Sequence, residues 1–121
     1  MPPRRPSRAA RLAPRHKVWL LADGLFLMGP NYLRFLRAVD ETGTIREAGK
    51  AVGWSYRTCL NRVRRMERVL GGPVLLTARG GSTHGGSRLT PDARRLVDGF
   101  ERWHKAVSEF SREAFARYLG R

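Results

Sequence analysis

A mainly α fold with a small β component, built as a winged helix-turn-helix, follows from three features of this 121-residue sequence. Two helical patterns are joined by the short Gly53-Trp54 turn. A glycine-rich segment between a short strand, 74–77, and a return strand beginning at Arg88-Leu89 reads as a β-hairpin. A long series of apolar residues at helical spacing then runs from Pro91 to about residue 118. One domain, 18–121, is expected behind a basic arm, 1–17. The arm has four prolines and little apolar content, which predicts disorder.

Charge and composition narrow the function. The chain holds 24 Lys and Arg against 10 Asp and Glu, a formal net charge of +14, and its 41% apolar residues suffice for a core. The charge is uneven. Residues 18–53 are neutral, whereas the arm and the block 54–90 each carry an excess of +6. Such a distribution points to a polyanionic partner. No apolar run is long enough to span a membrane, and the basic N-terminus lacks the apolar core of a secretory signal. The single cysteine, Cys59, has no internal disulfide partner, which fits a reducing cytoplasm.

The elements follow in order. Apolar runs 18–22 and 25–28 flank Asp23-Gly24, a strong signal for an N-terminal β-hairpin. Pro30 opens a helix whose apolar face is Tyr32, Phe35, Leu36 and Val39, with Gly43 as its stop. Thr44 and Glu47 have the spacing of a capping box, in which each side chain satisfies the other's free backbone N–H. The second helix is short, ending near Val52, with Ile45, Ala48 and Val52 inward. Ser55 caps a third helix that ends near Leu70. Thr90-Pro91 starts the last helix, which spans about 42 Å at about 1.5 Å per residue. Its residues Leu96, Phe100, Trp103, Val107, Phe110 and Ala114 alternate in steps of four and three, the seam of a coiled coil.

The third helix has two faces. Cys59, Val63, Met66 and Leu70 are expected inside, so Cys59 reads as a core residue and not a catalytic one. Arg57, Asn61, Arg64, Arg65 and Arg68 are expected outside. Its first half, with Arg57, Thr58, Asn61 and Arg62, is the part that a recognition helix inserts into the major groove. Arginine bonds guanine bidentately and asparagine does the same with adenine. Arg64, Arg65 and Arg68 lie further along and are assigned to phosphates. Arg79, His84 and Arg88 on the glycine-rich wing are assigned to a minor groove or a phosphate. A phosphate-cradling loop would instead open a helix with a Lys-Ser/Thr pair, which this segment lacks.

Nothing in the chain indicates an enzyme. His16, His84 and His104 are far apart in sequence, with no cysteine or carboxylate at metal-ligand spacing, so no metal and no cofactor are expected. No serine or cysteine has a histidine partner placed to activate it.

Four pieces in order now point to a family. They are 27–30 (Leu-Met-Gly-Pro), 42–48 (Thr-Gly-Thr-Ile-Arg-Glu-Ala), 55–57 (Ser-Tyr-Arg) and the wing from Arg79-Gly80-Gly81 to Leu89-Thr90-Pro91. Residues 18–119 thereby resemble the N-terminal DNA-binding domain of ModE-type regulators, the molybdate-responsive bacterial repressors and activators. LysR-type regulators share the helix-turn-helix and the Leu-Thr-Pro step, but usually lack the leading hairpin and the glycine-rich tip. The resemblance implies a winged helix dimer, with Ser55, Tyr56 and Arg57 at the start of the recognition helix. Thr44, at the start of the second helix, joins the DNA-binding set. The oxyanion-binding domains of ModE-type regulators have no counterpart in these 121 residues, so no molybdate site is expected within them.

The resulting expectation is a cytoplasmic, nucleoid-bound homodimer that regulates transcription by binding double-stranded DNA sequence-specifically. Helix 55–70 reads the major groove, and Leu96, Phe100, Trp103, Val107 and Phe110 pair two copies. An architectural, nucleoid-associated protein with little sequence preference is the alternative. The basic arm favours it, and the mixed Asn, Thr and Arg reading face disfavours it. A winged helix that docks a protein through its last helix is a third class.

Overall fold

A computed structural model describes residues 10–77 and 86–120. Residues 10–19 have no regular secondary structure. Strands β1 (Leu20–Ala22) and β2 (Leu25–Met28) then form an antiparallel hairpin. Asp23 and Gly24 take φ of 52° and 78°. Two left-handed residues in succession match the right-handed twist of the strands they join, which is why Asp-Gly suits this turn. The pairing runs Ala22 to Leu25 and Leu21 to Phe26, then slips so that Leu20 faces Met28. The bulge leaves Leu27 without a partner across the ladder. Both Leu27 and Met28 are buried, although strict alternation would place only one of them inside.

Three helices follow: α1 (Pro30–Thr42), α2 (Ile45–Val52) and α3 (Tyr56–Leu70). Phe35, Leu36 and Val39 of α1 are fully buried, as their spacing predicts. They meet Ala48 of α2 and Cys59, Val63 and Met66 of α3 in one apolar core. Burying each large side chain contributes about 1.5–3 kcal/mol. Leu70 corrects the expectation. It is 42% exposed, and Val69 packs against the core in its place. Leu70 is the last residue of α3, where the helix has run past the elements that cover its inner face. The capping box is also half made. Thr44 accepts the Glu47 N–H at 3.1 Å. The Glu47 carboxylate pairs with Lys50 at 3.1 Å instead of reaching back, and the Thr44 N–H finds the Thr42 hydroxyl at 3.4 Å.

Strands β3 (Leu75–Thr77) and β4 (Ser87–Leu89) form the base of the wing, each within one residue of the expected run. The Ser87 N–H donates to the Gly43 carbonyl at 2.7 Å, tying the wing to the end of α1. Asp40 adds a second tie. It accepts the Leu89 N–H at 3.1 Å and pairs with Arg94.

Helix α4 (Pro91–Tyr118) is capped by Thr90, which accepts the Ala93 N–H at 3.1 Å. Ala93, Val97 and Phe100 are buried in the domain's own core. Phe100 therefore leaves the pairing seam, a correction to the expectation that it meets a second copy. Arg37 of α1 binds both Asp98, at 2.7 Å, and Glu101. The hydrogen bond to Glu101 is the main reason that its guanidinium is held above the ordinary arginine value, against a smaller opposing effect of burial.

The second half of α4 is different. Trp103, Phe110 and Tyr118 are 39%, 71% and 75% exposed, and Leu119, just past the helix, is 62% exposed. Residues 12–15 line a shallow groove with Phe110, Ala114 and Phe115. His16 Nε2 lies 3.1 Å from Ser108 Oγ, and its ring centroid is 5.4 Å from that of His104. Two of the three histidines, distant in sequence, are therefore neighbours. No group of three or more His, Cys, Asp or Glu among the described residues is placed to hold a metal. No described helix is long and apolar enough to cross a membrane.

Candidate nucleic-acid interface

The interface is built on α2 and α3, joined by a turn that depends on one glycine. A Cβ on Gly49 would lie 2.5 Å from Cys59 Sγ and 2.9 Å from the Trp54 carbonyl oxygen. The Trp54 N–H donates back to the Gly49 carbonyl at 2.9 Å. Close approach at this point lets α3 cross α2 directly over the buried Cys59. Burial pushes that thiol up and keeps it neutral.

Ser55 sets the start of α3. Its hydroxyl accepts the Thr58 N–H at 3.1 Å and donates to the Thr58 hydroxyl at 3.0 Å. At about 100° per residue, Arg57, Asn61, Arg64 and Arg68 fall opposite Cys59, Val63 and Met66. All four are exposed. Glu67, the single acid of α3, is engaged by the Val74 N–H at 2.9 Å. Among the described residues, none of the five α3 arginines is ion-paired. The outer face is thus a row of cations and one amide with no internal counter-charge.

Two candidates fall off that face. Arg62 lies 4.4 Å over the Trp54 ring and 5.5 Å from the Tyr32 centroid. Arg65, expected fully outside, is half-buried. It donates to the Phe26 carbonyl at 3.3 Å and sits 5.8 Å from that ring. Both occupy the flank of α3 that faces the first hairpin and α1. The periodicity of α3 alone could not show this, because the aromatic rings come from other elements.

Thr44 caps α2 and is half-buried, Tyr56 opens α3 and is 43% exposed, and Arg88 is exposed on β4. Arg79 and His84 lie outside the described residues. One residue was missed. Arg46, exposed near the start of α2, places its guanidinium carbon 4.4 Å over the Tyr56 ring. Nine residues lie between the two, and no local pattern couples them.

Residues 30–94, from the start of α1 into α4, match the bacterial regulatory helix-turn-helix proteins of the lysR family. The chain belongs to this family. It is thereby a LysR-family helix-turn-helix protein, from a family of DNA-binding transcription regulators. It is also similar to ModE-type proteins. The identity is 36% over 73 residues with the molybdenum-pterin-binding protein MopB of Rhodobacter capsulatus, covering 60% of this chain and 27% of that protein. With the transcriptional regulator ModE of Haemophilus influenzae it is 30% over 81 residues, covering 67% and 31%. With the molybdenum transport protein ModE of Azotobacter vinelandii it is 32% over 65 residues, covering 54% and 24%. The match spans less than a third of the length of each of these relatives. The family model matches the helix-turn-helix and the wing of this chain, from the start of α1 into α4.

Proposed function

We propose that this chain is a sequence-specific transcription regulator that inserts α3 into the major groove of double-stranded DNA. One observation carries the reading: the exposed row Arg57, Asn61, Arg64 and Arg68 has no ion-pair partner among the described residues and stands opposite the buried face of the same helix. Arg57 and Asn61, in the first half, read base edges. Arg64 and Arg68, further along, meet phosphates. Thr44, Ser55, Tyr56 and Thr58 are held by the two helix starts beside them. Arg62 and Arg65 border the groove from their aromatic supports. The wing, with Arg79, His84 and Arg88, and the basic arm bind the backbone and raise affinity.

Two copies pair through the second half of α4, using Trp103, Val107 and Phe110, whereas Leu96, before the buried Phe100, packs against the domain's own core. Exposed aromatic side chains at heptad spacing support this, since pairing removes them from water. A paired protein presents two copies of α3 to one face of the duplex, with centres about 34 Å apart or a multiple of it. Its place of action is the cytoplasm, on the nucleoid.

Selection of bound duplexes from a random DNA pool tests the reading. The expected result is a roughly palindromic site whose half-sites are about one helical turn apart. Binding without any enriched sequence would replace the proposal with an architectural role, which the net charge of +14 favours.

A further inference from the structure

Arg46 and Tyr56 belong to two separate stretches of sequence, at the starts of α2 and α3, and their side chains meet. The Arg46 guanidinium carbon is 4.4 Å from the centroid of the Tyr56 ring, and both side chains are exposed. Each helix start is held by its own cap, Thr44 to the Glu47 N–H and Ser55 to the Thr58 N–H, both at 3.1 Å. The adjacent carboxylate, Glu47, is paired with Lys50. Among the described residues no carboxylate is ion-paired with Arg46.

A guanidinium stacked on a ring uses its face, and its N–H donors point outward along its edge. Stacking also restricts the side chain before any partner arrives, so less freedom is lost on binding. The free edge has the fork geometry that matches guanine O6 and N7 in the major groove, while an apolar surface beside it suits the thymine methyl group. A phosphate would require only the charge.

We infer that Arg46 and Tyr56 form one recognition unit that reads a guanine and its neighbouring thymine in each half-site, with Arg46 on the guanine edge and the Tyr56 ring against the thymine methyl. This rests on the proposed major-groove reading by α3 and adds a base contact from α2.

The test compares the wild type with Arg46→Lys, Tyr56→Phe and Tyr56→Leu. Each is first run through selection from a random pool. Each is then titrated on the enriched duplex with that guanine replaced by 7-deazaguanine, or the thymine by uracil. Lysine keeps the charge and loses the fork. Arg46→Lys is expected to lose about tenfold in preference for that guanine and to retain the rest of the site, with an unchanged salt slope. Tyr56→Phe keeps the ring and is expected to select as the wild type does, whereas Tyr56→Leu loses selectivity at both positions. The 7-deaza and uracil duplexes are expected to weaken the wild type and to leave Arg46→Lys and Tyr56→Leu, respectively, little affected. If Arg46→Lys keeps the wild-type site, or weakens all duplexes equally, Arg46 is a phosphate contact and the inference is wrong. A wild type that enriches a site from which the guanine–thymine pair is missing also removes the inference, and leaves the proposed function standing. A wild type that enriches no sequence removes both.

Discussion

The two halves of α4 carry one continuous seam in steps of four and three, yet they meet different surroundings. In the first half, Ala93, Val97 and Phe100 are buried, and Asp98 and Glu101 bind Arg37 while Arg94 binds Asp40. In the second half, Phe110 and Tyr118 are more than two-thirds exposed, and residues 12–16, before β1, lie alongside. Identical periodicity therefore serves two ends. The first half completes the domain, and the second half extends beyond it, where a second copy is the proposed cover.

Phe100→Ala should have the largest effect on stability. Emptying a fully enclosed aromatic site costs about 3–5 kcal/mol, and a thermal melt should show a large fall in Tm. A small fall would mean that the first half is no better packed than the second. Asp40→Ala comes next. It leaves the Leu89 N–H without its acceptor and Arg94 without its partner. A cost of about 1–3 kcal/mol is expected, read by urea titration, together with weaker DNA binding as the wing loses its tie to α1. Full stability in this variant would show that the Ser87 to Gly43 bond suffices.

The remaining changes fall on the second half and on the arm, and should barely move the melt. Phe110→Glu is expected to alter stability by no more than about 0.5 kcal/mol, while sedimentation shows a monomer and operator affinity drops sharply. Unfolding of this variant would make the second half part of the domain. A wild type that is monomeric at micromolar concentration would end the pairing proposal. Removing residues 1–17 deletes six cations and no residue of the buried cluster. Tm should hold, and the salt slope of DNA binding should become shallower by up to about 0.9 for each phosphate that the arm no longer neutralises. An unchanged slope would exclude the arm from the interface.

Much of this was legible without the fold. Asp23-Gly24, Pro30, Ser55 and Thr90-Pro91 act through bonds within a few residues, so their hairpin turn and helix starts could be read directly. The two faces of α3 were legible for the same reason, since 3.6 residues per turn separates Arg57 and Asn61 from Cys59 and Val63 wherever the helix packs. Arg62 and Arg65 were not. Their positions depend on Trp54, Tyr32 and Phe26, and cation–ring contacts between elements leave no trace in local spacing.

The sequence by itself determined the order of elements, the boundaries of the helices to within a residue or two, the main buried face of α1 and α3, and the concentration of charge on α3. These follow from backbone hydrogen bonding, capping and periodicity, which act over a few residues. Tertiary structure alone decided that Arg46 stacks on Tyr56, that Asp40 holds the wing, and that the seam of α4 divides after Phe100. Each of these depends on where another element ends, because an apolar or charged side chain takes its role from the surface brought against it.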